Sequence, residues 1–234
     1  MINQEWIQAK AYGLSPRLEA VFGLLPTSGT AADIGTDHGK LAASLLLSGK
    51  AHRVIATDIS PNSLAKTRQL CEVNGWSIEC RQGDGLHALQ EGEADCAAIA
   101  GIGGLQIIRI LQECETVARG MTLVLQPMQK IAALRAFVRQ NGYTIENEDV
   151  AWDQGRVYAA LRVVNGRENS TLPVELYDEI GPILFAKREP VQLVGLRMQL
   201  NTLLIKQEQF GGGEELKNRI ALLKRIERAW EEKP

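Results

Sequence analysis

Between residues 31 and 164 short apolar runs alternate with amphipathic stretches, and no other feature of the chain restricts its fold as tightly. A strand that is apolar on both sides has to be covered on both faces. The amphipathic stretch after it supplies the cover, so the rhythm predicts a parallel sheet wrapped by helices. Candidate strands occupy 31–34, 53–58, 77–82, 95–100, 122–126, 143–151 and 157–164. Between them, Ser60 is a natural N-cap ahead of a first-turn Pro61, and 130–140 is apolar at helical spacing. Asp153-Gln154-Gly155 leaves only a tight turn between the last two strands, which makes them an antiparallel pair, a feature that a plain nucleotide-binding half-sheet does not have.

From about Pro173 the pattern becomes helical throughout, punctuated by Pro182, Pro190 and Gly211-Gly212-Gly213. Leu193, Leu196, Leu200 and Leu203 fall at steps of three and four, as do Leu216, Ile220, Leu223, Ile226 and Trp230, so the two segments are expected to pair as an antiparallel, coiled-coil-like hairpin. The chain therefore divides into a sheet domain, residues 1–165, and a helical domain, residues 173–234. The hairpin reads either as a cap or dimer contact, or as an arm for a large substrate. Lys206, Lys217, Arg219, Lys224, Arg225 and Arg228 favour the arm, diluted by interspersed glutamates.

A net charge of -2 over 234 residues excludes nucleic-acid binding through bulk basic charge, so any RNA contact has to come from a local patch. The four cysteines, at 71, 80, 96 and 114, have neither metal-site spacing nor a His cluster and read as reduced thiols, with no metal expected. With no signal-like amino terminus and no apolar run near the ~18 residues of a membrane span, the chain is expected to be cytoplasmic. Its oligomeric state is open.

The turn after the first strand reads Asp33-Ile34-Gly35-Thr36-Asp37-His38-Gly39, with glycines where backbone must approach a ligand closely. A dinucleotide turn would leave bare amides facing a pyrophosphate. Here two carboxylates crowd the turn. Asp33 and Asp37 would repel a diphosphate but suit a desolvated ammonium, such as that of the methionine moiety of S-adenosyl-L-methionine. Asp58, at the end of the second strand, is placed to accept from both ribose hydroxyls, and Asp84 in Gly83-Asp84-Gly85 could accept from an adenine amine or simply form a turn.

The fourth strand ends in Ala100-Gly101-Ile102-Gly103-Gly104, an edge that leaves space rather than supplying side chains. Enzymes that methylate exocyclic amines commonly carry an Asn/Asp-Pro-Pro-aromatic loop here to accept amine hydrogens. Its absence points to an acceptor atom with no hydrogen to lose. Leu125-Gln126-Pro127-Met128 adds a polar amide beside the same edge.

Taken together, Leu14-Ser15-Pro16-Arg17-Leu18, Ala32 to Gly39, Gly83-Asp84-Gly85, Ala100 to Gly104, Leu125 to Met128 and the helical tail resemble the TrmK family, tRNA methyltransferases that modify N1 of adenine 22. The resemblance spans nearly the whole chain. Departures are Ala42, where proline is expected, and Ile102, where methionine is common. The resemblance implies an α/β fold with a seven-stranded Rossmann-like class I methyltransferase sheet and a C-terminal α-helical hairpin, S-adenosyl-L-methionine as donor and tRNA as partner. It implies cofactor contacts at Asp33, Gly35, Asp37, Gly39, Asp58 and Ile59, continued by Asp84, Gly85, Ala100 and Gly101. Substrate contacts would fall at Lys10, Arg17, Gly103 and Pro127. Adenine N1 attacks through an in-plane lone pair and needs no general base, so positioning dominates, and the base must be unpaired or flipped to expose N1. Asp37 and Gln126 are the groups expected to ease the product cation, while His38 reads either as structural or as a contact to base or cofactor. The residues alone leave open another RNA site, a small-molecule acceptor, or a cofactor-binding module without catalysis.

Overall fold

The computed structural model describes residues 13–232. Helix α1 (Pro16–Leu24) starts with a proline behind Ser15, where the missing N–H would have had no partner and the fixed φ already suits a helix. The sheet region follows as β1 (Ser28–Ile34), α2 (Lys40–Leu47), β2 (Ala51–Asp58), α3 (Pro61–Asn74), β3 (Glu79–Gln82), β4 (Cys96–Ile102), α4 (Gly104–Glu113), α5 (Glu115–Arg119), β5 (Thr122–Pro127), α6 (Ile131–Gln140), β6 (Tyr143–Asp153) and β7 (Arg156–Asn165). Ser60 caps α3 as expected, its hydroxyl accepting from the Ser63 amide.

The strands form one seven-stranded sheet in the order β3-β2-β1-β4-β5-β7-β6. β1 to β5 are parallel, and β7 is antiparallel to both β5 and β6. The turn at Gln154 and Gly155, with φ of 48° and 78°, is the left-handed pair that a two-residue hairpin requires. Because β7 alone is reversed, β6 runs in the same sense as β1–β5, and its carboxyl end returns to the edge where those strands end. The register puts Leu161 opposite Leu125 and Tyr158 opposite Ala151, so the hairpin tip projects past the end of β5.

Side chains alternate between two cores, as the strand period demands. Ile99, Leu123, Leu125 and Leu161 point into one, with α4 and α6. Ala98, Val124 and Ala160 point into the other, with Val21 and Leu25 at the end of α1 and Leu45 of α2. Cys71, Cys96 and Cys114 are buried and all four thiols are free; burial pushes each of them up in pKa.

The tail consists of α7 (Val174–Glu179), α8 (Pro182–Lys187), α9 (Pro190–Phe210) and α10 (Glu214–Glu231). Leu196, Leu200, Ile220, Leu223, Ile226 and Trp230 are buried in one cluster that also takes in Ala159 of β7. Arg197, early in α9, pairs with Glu227 and Glu231, late in α10, which makes the hairpin antiparallel. A fully buried ion pair ties the tail to the sheet: Arg135 of α6 donates through Nε to Glu148 of β6 at 3.0 Å. Glu148 also accepts from the Ile183 amide at 2.9 Å, and Arg135 donates to the carbonyls of Asp178 and Glu179. None of the described helices is long and apolar enough to cross a membrane.

Candidate active site

The carboxyl edge of the sheet carries a cleft of about 750 Å³. Its floor is the turn after β1. The Gly35 and Thr36 amides donate to the Thr57 carbonyl at 2.8 and 2.9 Å, and Gly35, with φ of 77° and open space where a Cβ would stand, leaves main chain bare to a ligand. Asp58 is held by two amides, Oδ2 accepting from Asp37 N–H at 3.1 Å and Oδ1 from Ser60 N–H at 2.8 Å. Each carboxylate oxygen keeps a further lone pair for a hydroxyl donor.

Asp33 is buried and lines the same cleft. Burial raises its carboxyl to about 6, with Asp58 adding to the rise and the Thr36 hydroxyl and Ala42 amide opposing it. Thr36 is its near partner, donating at 2.7 Å. A carboxylate that the fold strains to ionise, facing a cleft, gains most from a cationic ligand. The cradle therefore fits a nucleoside with a charged amino-acid tail: Asp58 for the sugar and Asp33 for the ammonium.

Asp37 and His38 stand exposed at the cleft mouth, the His38 Nδ1 at 2.6 Å from the Asp37 carboxylate. Lys66 Nζ lies 3.4 Å from His38 Nε2. Asp84 is gripped at both oxygens by Arg109, at 3.0 and 3.1 Å, so an adenine amine would share it with that guanidinium. Ile59, Gly85, Ala100 and Gly101 line the cleft beside it. Gly39 does not line it. A Cβ there would stand 2.6 Å from Thr67 Cγ2, so its glycine lets α2 pack against α3.

Gln126 is fully buried and all its polar atoms are engaged. Its oxygen accepts from Arg17 Nη1 at 2.6 Å and from Gly101 N–H at 3.2 Å, and its nitrogen donates to the Pro127 carbonyl at 2.8 Å. It fastens α1 to the ends of β4 and β5 rather than facing a substrate. Arg17, so tethered, lines the cleft next to Gly101 and has no carboxylate partner among the described residues. Gly103 caps α4 outside the cleft, Pro127 borders a neighbouring cleft under α9, and Lys10 lies outside the described residues. The cleft also brings in Lys40, Met128, Asp153 and Tyr158. Nothing in the local sequence marks Asp153 and Tyr158 as cleft residues, because the hairpin tip reaches this edge only through the strand order.

A family model described as a methyltransferase domain matches residues 14–161. The chain belongs to the methyltransferase-domain family. It is 29% identical over 229 residues to the tRNA (adenine(22)-N(1))-methyltransferase of Bacillus subtilis, covering 91% of this chain and 96% of that one. A putative tRNA methyltransferase of Mycoplasma pneumoniae is 32% identical over 154 residues, 65% of this chain and 71% of its own. Among solved structures, a putative tRNA (m1A22) methyltransferase of Streptococcus pneumoniae in complex with S-adenosyl-L-methionine superposes with a TM-score of 0.83 at 26% identity, over 92% of this chain and 99% of that chain. Within the methyltransferases, the TrmK resemblance of the sequence is thus upheld over the length of the chain.

Proposed function

We propose that this chain transfers the methyl group of S-adenosyl-L-methionine to N1 of adenine 22 in tRNA, in the cytoplasm. The observation that carries the reading is the pairing of a buried, cleft-facing Asp33 with a β4 end that offers glycines and no amine-accepting loop. The first suits the ammonium of that donor and the second suits an acceptor without a hydrogen to lose. The full-length relatedness to the Bacillus subtilis enzyme supports the acceptor.

S-adenosyl-L-methionine supplies a methyl group on an electron-poor sulfonium. Asp33 holds the ammonium of its amino-acid tail, Asp58 the ribose, and Ile59, Asp84 and Gly85 flank the adenine, while Gly35, Ala100 and Gly101 let main chain close on it. Asp37 and His38 guard the mouth between cofactor and base. Arg17, steadied by Gln126, meets an RNA phosphate beside the cleft, with Lys10 extending the patch, and the helical domain, 173–234, serves as an arm for the tRNA body. Alignment of N1, methyl carbon and sulfur does the chemical work, an effect of about 7–11 kcal/mol in well-oriented systems.

Incubation of the protein with methyl-labelled cofactor and unmodified tRNA, followed by nucleoside analysis and mapping, tests this. Label recovered as 1-methyladenosine at position 22 is expected. No label in tRNA overturns the acceptor assignment.

A further inference from the structure

The proposed cofactor residues occupy one half of the cleft, at the ends of β1, β2, β3 and β4. The other half, beyond β4, is walled by Ile102, Met128, Tyr158, Asp153 and Gln154. We infer that Asp153 is a catalytic residue, its carboxylate accepting a hydrogen from the exocyclic amine of the target adenine while the ring of Tyr158 lies under the base, so that N1 faces the methyl group. This rests on the adenine N1 reading above.

Three carboxylates are buried among the described residues: Asp33, Glu148 and Asp153. Asp33 has the Thr36 hydroxyl and Glu148 has Arg135 and the Ile183 amide. Asp153, 8% exposed, accepts no side-chain hydrogen bond and joins no ion pair within the described chain, yet lines the cleft. Its oxygens are not among the fully buried, unpartnered side-chain atoms of the described residues, so they open onto the cleft, where the N–H of a ligand can take the place of water.

The sheet explains why this acid can reach the reaction. Asp153 is the last residue of β6 and pairs with Arg156, while Tyr158 pairs with Ala151. Cross-strand partners share a face and alternate residues along a strand share a face, so Asp153 and Tyr158 lie on the face of Ala160, which packs in the same core as α1. That is also the side of Arg17. Counting from the Leu125–Leu161 pair, Tyr158 stands level with Met128, and Asp153 projects about two residues, roughly 6–7 Å, further past the edge. The target base can therefore stack on Tyr158 with its amino edge toward Asp153.

The chemistry matches that placement. The N1 lone pair forms the bond to the methyl carbon as the carbon–sulfur bond breaks and its electron pair stays on sulfur. No proton moves, and the positive charge passes from sulfur to the N1–C6–N6 amidine of the base. The amine hydrogens become stronger donors as that charge develops, so a carboxylate facing them binds the transition state more tightly than the ground state. Gln126 cannot serve here because its carbonyl is engaged by Arg17 and Gly101.

The test compares single-turnover methylation of two unmodified tRNAs, one with adenine and one with unsubstituted purine at the target position, by wild-type protein and by Asp153→Ala and Asp153→Asn. Calorimetric binding of S-adenosyl-L-methionine verifies that each variant retains its cofactor cradle. On the adenine tRNA, Asp153→Ala is expected to fall about 10–100-fold, the loss of a hydrogen bond to a charged group, and Asp153→Asn, which keeps an acceptor oxygen, to fall less. Purine N1 is also a weaker nucleophile, so the diagnostic is the adenine-over-purine ratio, which should shrink in Asp153→Ala. An undiminished ratio in Asp153→Ala protein that binds cofactor overturns the assignment alone. Absence of methylation by the wild-type protein overturns the parent reading and this one with it.

Discussion

Replacing Asp33 by asparagine isolates the electrostatic strain stored in the proposed cofactor cradle. Burial lifts this carboxyl from 3.8 to about 6. Since the folded value lies above the unfolded one, the fold holds the proton more tightly. Below about pH 4 both states are protonated and the group is neutral in its effect; between about 4 and 6 only the unfolded chain ionises and folding loses ground; above about 6 the full penalty stands, about 3 kcal/mol at about 1.36 kcal/mol per unit. Urea unfolding of wild type and Asp33→Asn, both without cofactor, should thus show the variant more stable at pH 7, with the gap shrinking by about 2 kcal/mol at pH 4.5. All other titrating groups are common to both proteins and cancel. Cofactor affinity should move the opposite way. The ammonium needs the ionised acid, so binding of S-adenosyl-L-methionine to wild type should weaken about tenfold per unit as pH falls below 6, whereas the variant binds weakly with a flatter profile. Parallel pH curves for the two proteins, or equal wild-type affinity at pH 5 and pH 7, would refute the reasoning.

Glu148→Ala strands the Arg135 guanidinium in the core and removes the acceptor at the start of α8. A loss of about 3–5 kcal/mol, roughly 10 °C in melting temperature, is expected by calorimetry, and a loss below about 1 kcal/mol contradicts it. Gln126→Leu should destabilise by about 1–3 kcal/mol in urea titrations, and combining it with Arg17→Ala should add less than the sum, since both break one contact; strict additivity would show the contact to be idle. In Gly104→Ala the new methyl group would stand 2.7 Å from the Lys130 carbonyl and 2.8 Å from that of Gln129, both main chain, and about 1–3 kcal/mol should be lost. An unchanged denaturation midpoint would mean that the β5–α6 loop yields freely.

What could be read in advance follows the range of the forces involved. Strand periodicity, the Ser60 cap and the leucine spacing of α9 and α10 are local, and all appear in the fold. The acid turn and Asp58 are likewise local, and the parallel pairing of β1 with β2 brings them together automatically. Long-range relations were invisible. Nothing in the neighbourhood of Gln126 announces that Arg17, from α1, will occupy its oxygen, and nothing near Arg135 announces Glu148. Asp153 reads as a turn residue because its place at the cleft depends on β7 entering between β5 and β6, a matter of pairing rather than of composition.

That insertion also orders the birth of the molecule. As the chain leaves the ribosome, β1 to β5 can pair among themselves, and they hold Asp33, Asp58 and Gly101. β6 emerges next but has no neighbour in the sheet except β7, and the outer side of β5 likewise waits for β7, which ends only at Asn165. The half of the cleft proposed to cradle a nucleoside can thus take shape before the half that would receive a base. Until β7 arrives, an apolar strand stands with an open edge, the state in which a nascent chain is most prone to pair with a stranger.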